Sequence, residues 1–339
     1  MAAGVHAVRR KHRGRKSYVK YIHVTCRMIP KAVENVRDYP IIPKVHHLHS
    51  VLEEDFVTMT ILKALIAGGQ ACLRRSYATG SKYIETTRDS DTGIDIISMA
   101  RKPVNSLNTE LLSELNAALV EAQNSRSKGV ILTSSLPTVF SAGLDIMEMC
   151  TTDKQKLSDF WQMLQDTWLT IYGLTIPIAT AINGASPAGG CLLAISTEYR
   201  VMVEGKHTIG LNETQLGIVA PKWFRDSYIS VIGYRQAELA LLRGSLFKPE
   251  KALQLGLVDE LAKDKTEAIE KCKNYILFYN NIPGLGRAVT KLELRNDVIQ
   301  WLKNNKEADT NQFVSYTQSP KVQAGLKLYV EHLKQKQKQ

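Results

Sequence analysis

The sequence lacks the features of a disulfide-bonded, zinc-binding or membrane-spanning protein. Its five cysteines, an odd number, include no C-x-x-C pair and no matching His spacing, so we expect free thiols rather than disulfides or a zinc site. No apolar run approaches the roughly 20 residues that a membrane-spanning helix needs. The sequence therefore predicts neither a metal site nor a membrane span.

Acidic residues are missing from residues 56–84, and this absence indicates a targeting segment. Lysines and arginines punctuate an amphipathic run there, which is the composition of a mitochondrial presequence. Residues 1–80 carry fourteen Lys and Arg against five Asp and Glu, and so hold nine of the eleven net positive charges. We predict a presequence over about 59–77, cleaved near Tyr77, and a protein of the mitochondrial matrix.

The position of this segment bears on how the chain is divided. An import signal belongs at the start of a protein, so we expect Met59 to be the natural or an alternative initiator and residues 1–58 to be an upstream extension. The predicted division is a basic N-terminal extension over residues 1–80, a core over 81–275 and a C-terminal helical region over 276–339.

Two glycine-containing turns, Phe140–Asp145 and Asn183–Cys191, each follow an apolar, strand-like run. Because Gly143 and Gly189 have no Cβ, the main chain there can adopt unusual dihedral angles and approach a ligand closely. The second turn leads into an apolar run that indicates a buried helix, whose N-terminus presents free N–H groups. Two such donors that converge on a carbonyl oxygen form an oxyanion hole.

These turns, with Gly210–Gly217 (Gly-Leu-Asn-Glu-Thr-Gln-Leu-Gly) after them, resemble the enoyl-CoA hydratase/isomerase (crotonase) superfamily in order and spacing. The resemblance extends from about Ser81 to the C-terminus. It implies that the N–H groups of Leu144 and Gly189 form the oxyanion hole and that Glu213 is the catalytic acid and base. It also implies that the substrate lies against a set of residues in both turns and next to Glu213, namely Ala142, Gly143, Leu144, Asp145, Ile146, Gly189 and Asn212.

The resemblance further implies an acyl-CoA thioester substrate, no cofactor apart from the CoA of the substrate, and a homotrimer. Hydratases of the superfamily carry a second glutamate directly after Gly-Gly-Cys, where this chain has Leu192. The apolar side chain of Leu192 cannot hold the water that hydration requires. Glu213 is then the one remaining base, and a single base suits the transfer of a proton from C2 to C4 of the substrate. The expected activity is isomerisation of 3-enoyl-CoA to trans-2-enoyl-CoA in fatty acid β-oxidation. Apolar neighbours such as Leu211 and Leu216 are expected to raise the pKa of Glu213.

Other functions stay open. A hydratase or a dienoyl-CoA isomerase would need a second acid near Glu213, which tertiary folding could supply from Asp226 or Glu238. The basic cluster at residues 9–16 could instead bind a phosphate backbone, as in a superfamily member that binds RNA, or belong to an interaction protein without catalytic activity. That relative carries its basic residues on a helix, whereas the comparable stretch here, residues 152–159, has mixed charge, so we expect no nucleic-acid partner.

Several polar residues have a more ordinary interpretation. Asp145, just after a glycine turn, is expected to cap a helix. Asn212 either contacts the thioester or only shapes its turn. Glu148 and Glu198 are interpreted as surface charges, and Ser106 or Asn108 as the cap of the helix that follows.

The predicted fold class is α/β, and the resemblance implies a crotonase-type spiral of β-β-α units with a C-terminal helical trimerisation region. Hydrophobic periodicity predicts alternating strands and helices in the first part of the core: strand 93–100, helix 111–122, strand 129–133, helix 154–172 and strand 176–182. The rest of the chain is predicted to be mostly helical: helices 223–242 and 249–255, a short strand at 257–258, helix 265–279 and a late helix from Asn311.

Overall fold

The computed structural model of the chain describes residues 81–336. The predicted leader, its cleavage point and the initiator at Met59 lie outside these residues. No helix within residues 81–336 is long and apolar enough to cross a membrane.

A six-stranded mixed sheet forms the centre of the fold and confirms the predicted α/β class. The strands, in chain order, are β1 (Ile84–Arg88), β2 (Asp95–Met99), β3 (Val130–Ser134), β4 (Ile178–Ile182), β6 (Tyr199–Val203) and β8 (Glu260–Ala262), with a separate pair β5 (Ser186–Pro187) and β7 (Ile209–Gly210). The sheet order is β1-β2-β3-β4-β6-β8, in which only β1 and β2 are antiparallel. Strands β3 and β4 are buried at every residue, as expected for inner parallel strands covered on both faces.

Helices connect and cover the strands. They are α1 (Thr109–Asn124), α2 (Ile146–Met149), α3 (Lys154–Gly173), α4 (Gly189–Ser196), α5 (Lys222–Ile232), α6 (Tyr234–Arg243), α7 (Pro249–Gln254), α8 (Lys265–Phe278), α9 (Gly284–Thr317) and α10 (Pro320–Lys336). Asn108 caps α1, since its side chain accepts a hydrogen bond from the Leu111 N–H at 3.0 Å. The cap predicted at Asn108 is thus confirmed, and the apolar face of α1 packs into the core.

Three predictions about local structure are wrong. The helix predicted over 223–242 is two helices, because Gly233 adopts φ +76° between them. The strand predicted at residues 257–258 lies instead at Glu260–Ala262, where the backbone can pair with β6. Asn311 does not begin a helix, since it lies inside the 34-residue helix α9.

Glu198 is not the surface charge that the sequence suggested. Its side chain is 10% exposed, is paired with Arg287, and lies 2.7 Å from the Lys291 Nζ. Arg287, Lys291 and Arg295 also donate to backbone oxygens at the C-terminal ends of α3 and α4. Cations at these ends satisfy carbonyl groups that a helix leaves unpaired. Glu148 is only half-buried, and accepts from the Thr109 N–H at 3.3 Å.

The long helix α9 is fixed to α3 through one buried carboxylate. Asp309 Oδ2 accepts from Trp161 Nε1 and Gln165 Nε2, both at 2.8 Å, and from Trp223 Nε1 at 3.2 Å. Phe313 stacks on Trp161 with ring centroids 3.6 Å apart. From there the chain turns into α10, which packs against α2 and against the turn at Glu213.

Candidate active site

The first glycine turn, after β3, is held by hydrogen bonds from neighbouring backbone. Gly143 adopts φ +92°, a conformation that favours glycine. Its carbonyl accepts from the Leu107 N–H at 2.8 Å, while the Leu107 carbonyl accepts from the Asp145 N–H at 3.0 Å. The Ser141 hydroxyl donates to the Asn105 carbonyl at 2.8 Å. Leu144 therefore lies in a turn fixed from both sides.

The second glycine turn is positioned by the small β5–β7 sheet. Pro187 pairs with Gly210, and the Ala188 N–H donates to the Gly210 carbonyl at 2.8 Å. Ala188 has φ 48° and ψ −120°, a strained conformation for a residue with a Cβ, and helix α4 begins directly after it. Because Gly210 is only three residues before Glu213, the same pairing brings the start of α4 to the Glu213 turn.

The two turns meet at Leu144 and Gly189. A Cβ added to Gly189 would lie 3.2 Å from the Leu144 backbone nitrogen, and one added to Gly143 would lie 3.2 Å from the Gly189 nitrogen. Within residues 81–336 neither the Leu144 N–H nor the Gly189 N–H has a hydrogen-bond acceptor. Two unpaired backbone donors thus lie side by side, which is the arrangement that binds an oxyanion.

Glu213 begins a 3-10 helix, Glu213–Leu216, and its side chain is enclosed. The residue is 6% exposed, and its Oε2 atom has no hydrogen-bond partner in the described part of the chain. Burial raises the pKa of Glu213 to about 7, which agrees with the predicted direction. A carboxyl group with this pKa can both accept and return a proton near neutral pH.

The other predicted site residues lie around these groups. Asp145 caps α2, accepting from the Met147 N–H at 3.0 Å, which confirms its expected role, and it pairs with Arg101 at 2.8 Å. Ala142 is exposed and Ile146 half-buried. Asn212 precedes Glu213, and its buried Oδ1 has no hydrogen-bond partner within residues 81–336, so the structure leaves its side chain available.

Within residues 81–336, neither acid that could complete a hydratase site is free of another partner. Leu192 is 0% exposed and packs in the core. Asp226 pairs with Lys222, and Glu238 pairs with Arg235, each within its own helix. Within residues 81–336 no group of three or more His, Cys, Asp or Glu residues could hold a metal ion.

Two polar groups near Glu213 were missed by the sequence analysis. Cys191 and Tyr228 are both 0% exposed, and burial raises the pKa of each, with the negative charge of Glu213 adding to the effect. Cys191 lies in an apolar helix and Tyr228 on the buried face of a mixed one, and a helix pattern shows only that such residues face inward, so the sequence carried no signal that would connect them to Glu213.

Comparison with known proteins agrees with this geometry. A profile of the family described as enoyl-CoA hydratase/isomerase matches residues 89–339. The chain is 40% identical over 281 residues to the mitochondrial enoyl-CoA delta isomerase 1 of Rattus norvegicus, covering 81% of this chain and 97% of the relative. It is 40% identical over 271 residues to the Homo sapiens protein of the same name, covering 79% and 88%.

Solved structures give the same result. The human mitochondrial delta3-delta2-enoyl-CoA isomerase matches with a TM-score of 0.73 and 39% identity, covering 75% of this chain and 99% of that one. An enoyl-CoA hydratase from Bacillus halodurans matches with a TM-score of 0.65 and 25% identity, covering 73% and 100%. The crotonase-type fold expected from the sequence is confirmed.

Proposed function

Because the chain belongs to the enoyl-CoA hydratase/isomerase family, we propose that Glu213 carries the proton in the isomerisation of 3-enoyl-CoA to trans-2-enoyl-CoA. The relatives that match at 40% identity are named enoyl-CoA delta isomerases, and this protein is an enzyme of the same kind. Three observations support this role for Glu213: the residue is buried, its Oε2 atom has no hydrogen-bond partner within residues 81–336, and the pairing of Pro187 with Gly210 brings its turn to the chain segment that carries the Gly189 N–H.

The proposed reaction balances with these groups alone. The ionised Glu213 carboxylate removes a proton from C2, and the electron pair of that C–H bond moves toward the thioester carbonyl, giving a dienolate. The N–H groups of Leu144 and Gly189 stabilise the negative oxygen. The protonated carboxyl then returns its proton to C4, and the double bond ends between C2 and C3.

The surroundings of the base favour isomerisation over hydration. Leu192 occupies the position where hydratases have a second glutamate, and its apolar side chain offers no hydrogen bond to an attacking water. The isomerisation exchanges no electrons with a partner molecule, so we propose no cofactor beyond the CoA of the substrate.

The relatives also bear on where the protein acts and how it assembles. The protein is mitochondrial, as its relatives are named, and we propose that it acts in the matrix in fatty acid β-oxidation. We propose that the chain is divided into a leader over residues 1–80, a catalytic core over 81–275 and a C-terminal helical region over 276–339. We also propose a homotrimer, and that the substrate contacts residues 142–146, Gly189 and Asn212.

The test is to incubate the full chain with a 3-enoyl-CoA and to follow formation of the conjugated thioester. We expect trans-2-enoyl-CoA and no hydrated product, with kcat/KM rising with pH through about 7 because only the ionised carboxylate accepts a proton. Glu213→Gln keeps the shape and removes the base, so we expect at least a thousandfold loss, roughly 4 kcal/mol in barrier.

A second variant tests the oxyanion hole. Gly189→Ala adds a methyl group 3.2 Å from the Leu144 nitrogen, and we expect kcat to fall by about a hundredfold because access to that donor is lost. A hydrated product, or activity that survives Glu213→Gln, would contradict the proposal. Binding to RNA that weakens steeply with salt and survives Glu213→Gln would support the alternative function of the basic N-terminus.

A further inference from the structure

The C-terminal end of helix α4 is held by a side chain of α9. The carbonyl of Ser196, the last residue of α4, accepts from Arg295 Nη1 at 2.9 Å, and the carbonyl of Thr197 accepts from Arg295 Nη2 at 3.1 Å. Arg295 Nη1 also donates to the Tyr172 carbonyl in the last turn of α3, at 2.9 Å, and the Arg295 Cζ lies 4.1 Å from the centroid of the Tyr172 ring. One guanidinium group therefore joins α3, α4 and α9.

The opposite end of α4 begins with the proposed oxyanion donor. Gly189 is the first residue of the helix, and its N–H has no hydrogen-bond acceptor within residues 81–336. The helix has eight residues and is about 12 Å long, so the Gly189 N–H and the guanidinium of Arg295 lie at the two ends of one short element. A shift of α4 along its axis would move the Gly189 N–H relative to the Leu144 N–H.

The N-terminal end of α4 does little to fix the helix by itself. No side chain caps it, and Ala188 there has φ 48° and ψ −120°, a strained conformation that persists only where the surrounding structure imposes it. The helix begins with two glycines, which favour a helix less than any residue except proline. All eight residues are buried, but apolar contacts are not directional, so hydrogen bonds at the C-terminal end are needed to set the position of the helix along its axis.

Other polar contacts near this end involve Thr197, the residue after the helix. The Thr197 hydroxyl accepts from the Thr180 hydroxyl at 2.9 Å, and Arg200 Nη1 donates to the Thr197 carbonyl at 3.3 Å. Arg200 is itself paired with Asp259 at 2.8 Å. Arg295, by contrast, reaches the last carbonyl of the helix itself, and its positive charge faces the negative end of the helix dipole.

We propose that Arg295 is a positioning residue for the oxyanion hole: by holding the C-terminal carbonyls of α4, it keeps the Gly189 N–H aligned with the Leu144 N–H. A misplacement of about 1 Å can cost about a hundredfold in rate even when its cause is far from the reacting atoms. This role depends on the proposed function, in which the Gly189 N–H stabilises the dienolate oxygen.

The variant Arg295→Ala removes the three hydrogen bonds and the charge. We expect kcat to fall about tenfold with KM within about twofold of the wild type, because the N–H donors act more strongly on the negative oxygen of the transition state than on the neutral carbonyl of the bound substrate. Arg295→Lys keeps the charge, but one nitrogen does not reproduce the planar set of donors, so we expect an intermediate kcat. Rates are measured well below the Tm of each variant, so that every variant is folded.

The carbonyl stretching frequency of bound trans-2-enoyl-CoA reports the oxyanion hole directly. Hydrogen bonds to a carbonyl oxygen lower this frequency, so difference infrared spectroscopy should show a lower value on the wild-type enzyme than in solution. In Arg295→Ala we expect about half of this lowering to be lost, whereas a residue that serves only stability would leave the frequency on the folded enzyme unchanged. Glu213→Gln should keep the wild-type frequency, because the carboxyl group is not one of the two donors.

The matched control is Arg287→Ala, which removes another arginine of α9. Arg287 Nη1 donates to the Thr175 carbonyl at 3.1 Å and its Nη2 pairs with Glu198, but within residues 81–336 it has no hydrogen bond to α4. Because Glu198 loses a partner, Arg287→Ala should lower the Tm. It should leave kcat and the carbonyl frequency unchanged.

Wild-type kcat and carbonyl frequency in Arg295→Ala would overturn the inference, and so would equal losses in Arg287→Ala. If Arg295→Ala does not fold, the same criterion applies to Arg295→Lys. Each of these results leaves the proposed function intact, provided that the wild-type enzyme lowers the carbonyl frequency and Glu213→Gln is inactive. A wild-type enzyme that leaves the frequency at its value in solution would instead overturn the oxyanion hole, and the role of Arg295 with it.

Discussion

Two features near the proposed base lower the stability of the fold: the buried carboxyl group of Glu213 and the backbone conformation of Ala188. It is 6% exposed, and burial raises its pKa to about 7. The strained backbone at Ala188, φ 48° and ψ −120°, lies at the adjacent turn. We propose that both features serve the reaction, because the first sets the pKa of the proposed base and the second orients the Gly189 N–H.

This cost predicts that Glu213→Gln stabilises the fold while it abolishes activity. The folded pKa, about 7, lies above the ordinary value of 4.5, so ionisation favours the unfolded chain as pH rises past 4.5, and this penalty is complete above about 7. The variant should gain about 3 kcal/mol at pH 8 and close to nothing at pH 4, measured by urea unfolding at both pH values.

Glu307→Gln, which changes an exposed glutamate on α9, is the control and should alter stability at neither pH. An equal gain for Glu213→Gln at pH 4 and pH 8 would show that the burial of charge is not the cause.

At the scale of elements, the parts of the fold set by local signals were predictable. The Asn108 cap, the apolar face of α1 and the inner strands β3 and β4 follow from periodicity and from hydrophobic runs. The two glycine turns were predictable because Gly143 and Gly189 stand where a Cβ would strain the backbone or crowd the neighbouring turn. The strand at Glu260–Ala262 was misplaced because only its pairing with β6 fixes its position, whereas the break at Gly233 is a local signal that the sequence-based prediction did not use.

The failures share a physical cause. Glu198 looks like a surface charge in the sequence, because its partners Arg287 and Lys291 are about ninety residues away along the chain and meet it only after folding. Tyr228 was missed for the same reason: its side chain is buried where α5 packs on α4, an element about thirty residues earlier in the chain. Periodicity records which face is buried, but it does not record which polar groups meet there.

The contact between α3 and α9 yields a prediction about Asp309. Asp309→Ala would leave the donors of Trp161, Gln165 and Trp223 buried without an acceptor, so we expect a loss of about 3 kcal/mol in unfolding free energy. Asp309→Asn keeps one acceptor oxygen and should lose less. The ranking can be measured by thermal unfolding, with exposed Asp297→Ala on the same helix as the control. Equal Tm values for the Ala variants of Asp309 and Asp297 would refute this role.

At the scale of the whole molecule, the outer surface carries apolar groups that a monomer would leave in water. Phe278, Leu285 and Leu294 are 69%, 63% and 84% exposed near the start of α9. Leu294 lines a groove of about 600 Å³ together with Ile282 and Pro283, and Phe278 and Leu285 are near them in the sequence. Clustered exposed apolar side chains are typical of protein interfaces, which supports the proposed homotrimer.

If this exposed apolar surface forms the contact between subunits, a single charge placed on it should weaken the proposed homotrimer. Leu294→Lys should shift the mass measured by light scattering from three chains toward one, because burying an unpaired ammonium group at an interface is unfavourable. Leu242→Lys, which changes a leucine 73% exposed on α6, is the matched control and should leave the mass unchanged. Since every contact named at Glu213 lies within one chain, we expect the dissociated Leu294→Lys protein to retain isomerase activity. An unchanged mass for Leu294→Lys would mean that these residues are not the interface.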